Sequence, residues 1–317
     1  PDDDVDGETL GRGLQRLFAQ PPDLGLTLAV VAVHRGRIVA EGYGPDTDKT
    51  TRLISWSTAK SMTHALTGLA LDRCLVDLQA PAPVPEWRDD RAAITLQHLL
   101  TMTPGLRFAE DYVDASVSDC IAMLFGEGKE DTAAYAAALP LDHQPGTFWN
   151  YSSGTTNIVS RIVGQVVGGE AGMRKLLMRD LFGTLGMHTA VPTFDAAGTF
   201  VGSSFVNASA RDFARFGYLY LRDGIWQGDR LLPVGWRDHA RTPTLSVPPE
   251  EDFGYGAHWW LWRDEPGSLA AHGYEGQYVI VLPHRDLVLV RLGKTPTDIR
   301  PNLVAVLRDL IGCFPLG

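Results

Sequence analysis

The chain has 317 residues, a formal net charge of −10 and a pI near 5.3. That acidic balance argues against a nucleic-acid binder and offers no attraction to an anionic membrane, and no apolar run approaches the roughly 18–20 residues of a membrane span. Hydrophobic residues at 44% and charged residues at 21% describe an ordinary globular chain, long enough for one large domain or two.

The opening, Pro1-Asp2-Asp3-Asp4, carries no signal-peptide pattern. Cys74, Cys120 and Cys313 are odd in number and lack metal-ligand spacing, so they read as buried small hydrophobes in a reducing compartment. A cytoplasmic location without a metal or other cofactor is the expectation.

Along the chain, Leu10, Leu14, Leu17 and Phe18 share a helical stripe that ends at Pro21-Pro22. Two β-rich runs, 27–33 and 37–43, flank Arg35-Gly36 and predict a hairpin whose apolar first run is a central strand. Next comes Ser55-Trp56-Ser57-Thr58-Ala59-Lys60-Ser61-Met62, continued by three- and four-residue apolar steps at Ala65, Leu66, Leu69 and Ala70. This spacing predicts a buried helix with Ser57 in its first turn and Lys60 on the same face. A serine hydroxyl becomes a good nucleophile when a neighbouring base takes its proton, and a lysine in a poorly hydrated site can be that base. Alone, the four letters decide nothing: a Ser-x-x-Lys pair arises by chance about once in a chain of this size.

Short helices follow at 95–100 and 135–139, with turns at Thr103-Pro104-Gly105 and Gln144-Pro145-Gly146. Helices are also predicted at 155–167, from Ser209 through Leu221, and at 299–311, and strands at 255–262, 277–282 and 287–292. Strands near both ends with helices between them suggest one sheet built from both termini and an inserted helical region. The expected division is an α/β sheet domain from 1–60 and 195–317 and a mainly helical domain from 61–194, with the active site in the cleft between them. Trp259-Trp260-Leu261-Trp262 reads as core more readily than as pocket wall.

Two further stretches join the Ser57 segment. Asn150-Tyr151-Ser152-Ser153-Gly154 is a polar loop before a helix, where Ser153 would serve as a cap. Ala271-His272-Gly273-Tyr274-Glu275-Gly276-Gln277 puts glycines ahead of a strand, in the manner of a tight turn. Each is weak alone, and their order along the chain is far more specific.

In that order the chain resembles the serine β-lactamase and penicillin-binding-protein superfamily, within the branch of class C β-lactamases, family VIII esterases and D-aminopeptidases. His98-Leu99-Leu100-Thr101-Met102-Thr103-Pro104-Gly105-Leu106 and the 207–217 stretch resemble the same branch, and the first two motifs look most like 6-aminohexanoate-dimer hydrolases and their esterase relatives. The resemblance implies a β-lactamase/transpeptidase-like fold, a central antiparallel sheet flanked by helices. It also implies that Ser57 is the nucleophile, Lys60 helps take its proton, Tyr151 is the general acid/base, and the backbone N–H groups of Ser57 and Tyr274 form the oxyanion hole. Substrate contacts would come from Ser153, His272 and Gly273, with Gly273 letting the strand approach the substrate closely.

The chain departs from the branch at two points. Ser153 stands where β-lactamases of this group have Asn, and Ala271-His272-Gly273 stands for Lys-Thr-Gly, which removes a cation and argues against efficient β-lactamase activity. His272 reads equally well as polar structure or as substrate contact, and another cation from a loop, Arg107 or Arg263, would be needed to hold a carboxylate. The function this implies is a serine hydrolase that cleaves a small amide or ester through an acyl-enzyme on Ser57. The alternatives are a biosynthetic acyl-transferase and a non-turnover penicillin-binding-like sensor. The partner is a small molecule in each case.

Overall fold

The apolar runs at the two ends of the chain pair with each other. In the computed structural model, which describes residues 4–245, 247–248 and 252–317, seven strands form one sheet. They are β1 (Leu26–His34), β2 (Arg37–Tyr43), β3 (Gly254–Tyr255), β4 (Trp260–Leu261), β5 (Leu269–Gly273), β6 (Gln277–Leu282) and β7 (Leu287–Lys294), in the spatial order β2-β1-β7-β6-β5-β4-β3 and antiparallel throughout. The acidic Pro1-Asp2-Asp3 opening lies outside the described residues.

The β1–β2 turn needs two positive φ angles, and Arg35 (49°) and Gly36 (77°) supply them. Side chains alternate across the sheet. Val31, Val33, Val279, Val281, Val288 and Val290 face one core, while Val30, Ala32, Ile280, Leu282, Leu287 and Leu289 face the other. Each buried Val, Leu or Ile contributes about 1.5–3 kcal/mol.

The second core is closed by helix α1 (Gly7–Phe18), through Leu10 and Leu17, and by the C-terminal helix α5 (Arg300–Gly312), through Leu303, Leu307 and Leu310. On the other face lie α2 (Ala59–Asp72), α3 (Ser153–Val166) and α4 (Ala210–Leu221), capped by Ser209. Twelve of the residues of α2 are buried, as its sparse charge predicts.

Three expectations change. The stretch 255–262 is two short strands instead of one, because a turn at His258 (φ 57°) closes with Gly256 N–H donating to Trp259 C=O at 2.9 Å. Strand β5 goes unread as a full strand in the sequence: Leu-Ala-Ala-His-Gly has low β-propensity, and its small residues are required by close packing against the Ser57 segment. Cys74 is exposed, whereas Cys120 and Cys313 are buried as expected. No helix among the described residues is long and apolar enough to cross a membrane.

Candidate active site

The segment that carries Ser57 is a single 3-10 turn, Trp56–Thr58, that runs directly into α2. The turn is anchored at its start. Ser55 N–H donates to Val206 C=O at 2.8 Å, and the Ser55 hydroxyl accepts from Val206 N–H at 3.0 Å and donates to Ser204 C=O at 2.9 Å. Trp56 sits at φ 43°, a strained value for a bulky residue, and persists because its ring is held edge-on to Tyr274 at 5.8 Å and beside Phe205 at 6.0 Å. That strained step sets Ser57 at the mouth of a cleft.

One helical step on, Lys60 is almost wholly buried, yet each of its three N–H bonds has an oxygen to meet. Nζ donates to Ser57 Oγ at 2.9 Å, Ser153 Oγ at 2.9 Å and the Ser203 carbonyl at 3.1 Å. Three acceptors match the three donors of an ammonium group. Nζ also lies 4.8 Å from the centroid of the Tyr151 ring. Burial raises the Tyr151 phenol above its usual value of 10, with Lys60 pulling the other way, so the hydroxyl is a proton donor at neutral pH.

Ser153 is not the helix cap. Ser152 takes that part, accepting from Thr155 N–H at 3.0 Å, and this leaves the Ser153 hydroxyl free to face Lys60. Behind it stands Glu110, which the sequence reading missed. Glu110 accepts from Ser153 Oγ at 2.6 Å, from Ser153 N–H at 2.7 Å and from the Tyr112 hydroxyl at 2.8 Å. Nothing in a Phe-Ala-Glu-Asp-Tyr loop marks one acid above its neighbour, so only the folded contacts find it.

The third motif closes the far side. A Cβ on Gly273 would fall 2.5 Å from the Ser55 carbonyl, so this glycine permits a close approach to the backbone ahead of Ser57. Gly273 still lines the cleft, with Tyr274. The turn at Tyr274–Gly276 is held from behind by the buried guanidinium of Arg291, which donates to Gly276 C=O at 2.9 Å.

His272 turns out to be held in structure while also lining the cleft. Its Nε2 accepts from Trp262 Nε1 at 3.0 Å, its ring stacks on Trp260 at 5.4 Å, and burial drives its pKa well below the usual value, so it is neutral with its hydrogen on Nδ1. The tryptophans divide accordingly. Trp259 and Trp262 are core, and Trp260 is half-buried in the cleft wall, 5.1 Å from the Tyr151 ring.

Two recesses flank Ser57. One, of about 100 Å³, is lined by Tyr151, Trp260, His272, Thr297 and Arg300. The other, of about 70 Å³, is almost wholly apolar, with Trp56, Cys120, Ile121, Leu124 and Phe125 in its wall. Neither cation named from the sequence reaches the first. Arg107 pairs with Asp142 at 2.9 Å, and Arg263 lines a separate surface cavity. Arg300 does reach it, and it has no ion pair among the described residues. One signal was available in the sequence: a basic residue in the first turn of a helix opposes the macrodipole and needs some other reason to be there. Among the described residues no cluster of His, Cys, Asp and Glu has the geometry of a metal site.

The family model described as Beta-lactamase matches residues 14–309. The 6-aminohexanoate-dimer hydrolase of Paenarthrobacter ureafaciens is 27% identical, over 89% of this chain and 78% of that protein. Among solved structures, one provisionally described as a 6-aminohexanoate-dimer hydrolase from Bacillus anthracis superposes with a TM-score of 0.79 at 21% identity, covering 95% of this chain and 83% of the other. A class C beta-lactamase in complex with cefoxitin superposes with a TM-score of 0.71 at 16% identity, over 96% and 98% of the two chains.

Proposed function

The chain belongs to the beta-lactamase family and is a serine hydrolase of amidase type, and from that premise we propose that it cleaves a small amide or ester through an acyl-enzyme on Ser57. The observation that carries this reading is the 2.9 Å contact between Lys60 Nζ and Ser57 Oγ inside a buried site. Once Lys60 has given up one proton, it takes the hydroxyl proton of Ser57 while Oγ bonds to the substrate carbonyl carbon. The negative charge on the carbonyl oxygen is met by the N–H groups of Ser57 and Tyr274. Tyr151 passes its proton to the leaving nitrogen or oxygen as the carbonyl–leaving-group bond breaks, and recovers one from Lys60. Water then repeats the sequence on the acyl-enzyme and releases the acid.

The two recesses suggest how the substrate lies. The apolar one suits a short hydrocarbon acyl group. The polar one, with Arg300 in its wall and without an ion pair there among the described residues, suits an anionic group on the leaving side. β-Lactams remain poor substrates in this reading, because Ser153 gives its one O–H to Glu110 and has no donor left for a side-chain amide carbonyl.

The test is intact mass after exposure to short-chain activated esters, followed by kinetics on a matched pair of esters with and without a carboxylate in the leaving group. A single acyl adduct, absent in Ser57→Ala, is the expected result, and an adduct that persists in Ser57→Ala refutes the assignment. Arg300→Ala should lower kcat/KM for the carboxylated ester by about 10- to 100-fold, the worth of one charged hydrogen bond, and leave the neutral ester little changed. Equal losses on both esters would remove Arg300 from substrate binding.

A further inference from the structure

The mechanism above uses Lys60 as a base, and the structure shows what holds that side chain in place. Lys60 donates to the Ser153 hydroxyl, so that oxygen is an acceptor on one side. Its own hydrogen points the other way, to Glu110 Oε1 at 2.6 Å. The second Glu110 oxygen takes Ser153 N–H at 2.7 Å, which fixes the carboxylate in register with the first turn of α3. The result is a directed chain, ammonium to hydroxyl to carboxylate.

The other titratable groups around this chain are neutral near pH 7. Tyr151 and Tyr255 are held above the usual phenol value, and Cys120 above the usual thiol value, chiefly by burial. His258 is depressed to about 3, chiefly by burial, and Tyr112 donates its hydroxyl to Glu110. Of the two acidic side chains near the site, Glu275 lines the cleft, and Glu110 is the one joined to Lys60 through the Ser153 hydroxyl.

We propose that Glu110 is a positioning residue that acts through the Ser153 hydroxyl to hold the Lys60 side chain beside Ser57. This rests on the Ser57–Lys60 reading of the site. Glu110 orients the Ser153 hydroxyl, and that oxygen is one of the three that receive Lys60 Nζ. Held this way, the lysine cannot swing away from Ser57 when the substrate displaces water.

The experiment is steady-state kinetics on a neutral short-chain ester. Glu110→Gln keeps the shape of the side chain and weakens its hold on the Ser153 hydroxyl, so kcat should fall about 10- to 100-fold with KM little changed, the mark of a misplaced catalytic group. Ser153→Ala cuts the link and should act in the same way, and the double variant should lose no more than the larger single loss. A merely structural Glu110 would lower the melting temperature and leave kcat unchanged, and that result in Glu110→Gln overturns the proposal. So does a double variant whose loss is the product of the two singles. Should Glu110→Gln fail to fold, an unchanged kcat in Ser153→Ala overturns it equally. The acyl adduct on Ser57, measured by mass at saturating ester, reads the underlying site separately: its survival in Glu110→Gln with an unchanged kcat sinks only the role of Glu110.

Discussion

Helix α2 buries two basic side chains one turn apart, Lys60 and His64, and treats them oppositely. Lys60 looks into oxygens: two hydroxyls and a carbonyl, with a carboxylate one layer back. His64 looks into rings. It stacks on Trp236 at 4.3 Å and His239 at 5.3 Å, takes the Tyr220 hydroxyl on Nδ1 at 2.8 Å, and meets His239 Nδ1 through Nε2 at 3.0 Å. His239 Nε2 in turn meets Gln97 Oε1 at 2.9 Å, which fixes the run of donors from Tyr220 through both imidazoles to the amide. No acid enters that chain, and burial drives the His64 pKa well below 6.5. Two basic side chains buried one turn apart on the same helix thus meet different partners. The atoms opposite each decide which hydrogen bonds it makes.

The largest expected effect breaks the polar half of this comparison. Ser57→Ala should leave no more than about a thousandth of the esterase rate, with thermal stability almost unchanged, since one hydroxyl is removed and little packing. Lys60→Ala and Tyr151→Phe should each lower kcat severely, and the two together should cost far less than the product of the separate losses. Steady-state kinetics on the four proteins decide it, and clean multiplicativity would remove the shared proton relay.

The aromatic half is tested by acid. His64, His239 and His258 have depressed folded-state pKa values, the last two at about 4 and about 3, all chiefly by burial. A neutral buried histidine contributes stability that is fully present above the unfolded value near 6.5 and is lost as pH falls toward the folded value. Denaturant melts between pH 7 and pH 4 should therefore lose up to about 1.4 kcal/mol per pH unit for each of the three. A flat profile across that window would mean that these rings are already charged or hydrated in the folded protein.

A smaller effect probes the packing that keeps this region dry. Gly68 lies on α2 where a Cβ would come 2.5 Å from Trp236 Nε1, the ring that stacks on His64. Glycine to alanine inside a helix ordinarily stabilises by about 1 kcal/mol. Here Gly68→Ala should instead destabilise by about 1–2 kcal/mol through overpacking, as read from a shifted denaturation midpoint. A gain in stability would show that Trp236 yields freely.

How much of this was written locally can be judged from particular residues. The continuous, β-branched apolar runs 27–33, 277–282 and 287–292 announce strands buried on both faces, and the three- and four-step pattern after Ala59 announces a buried helix; each needs only near neighbours along the chain. The Ser57, Lys60 and Tyr151 set was legible by resemblance, and Arg300 left a trace as a cation at the wrong end of a helix. Glu110 left none. It lies 43 positions from the serine it holds, and an acid in a loop reads the same whether it meets water or a hydroxyl.

Sequence by itself thus determined the sheet and the buried helix, because the apolar patterns that mark them are short-range properties. Tertiary structure alone decided that Ser152 caps α3 and so frees Ser153, that Gly273 makes room for the Ser55 carbonyl, and that His272 is a neutral, pinned ring. Each of these depends on which backbone or side-chain atom arrives from a distant part of the chain, and in a buried site that arrival fixes both hydrogen-bond direction and charge.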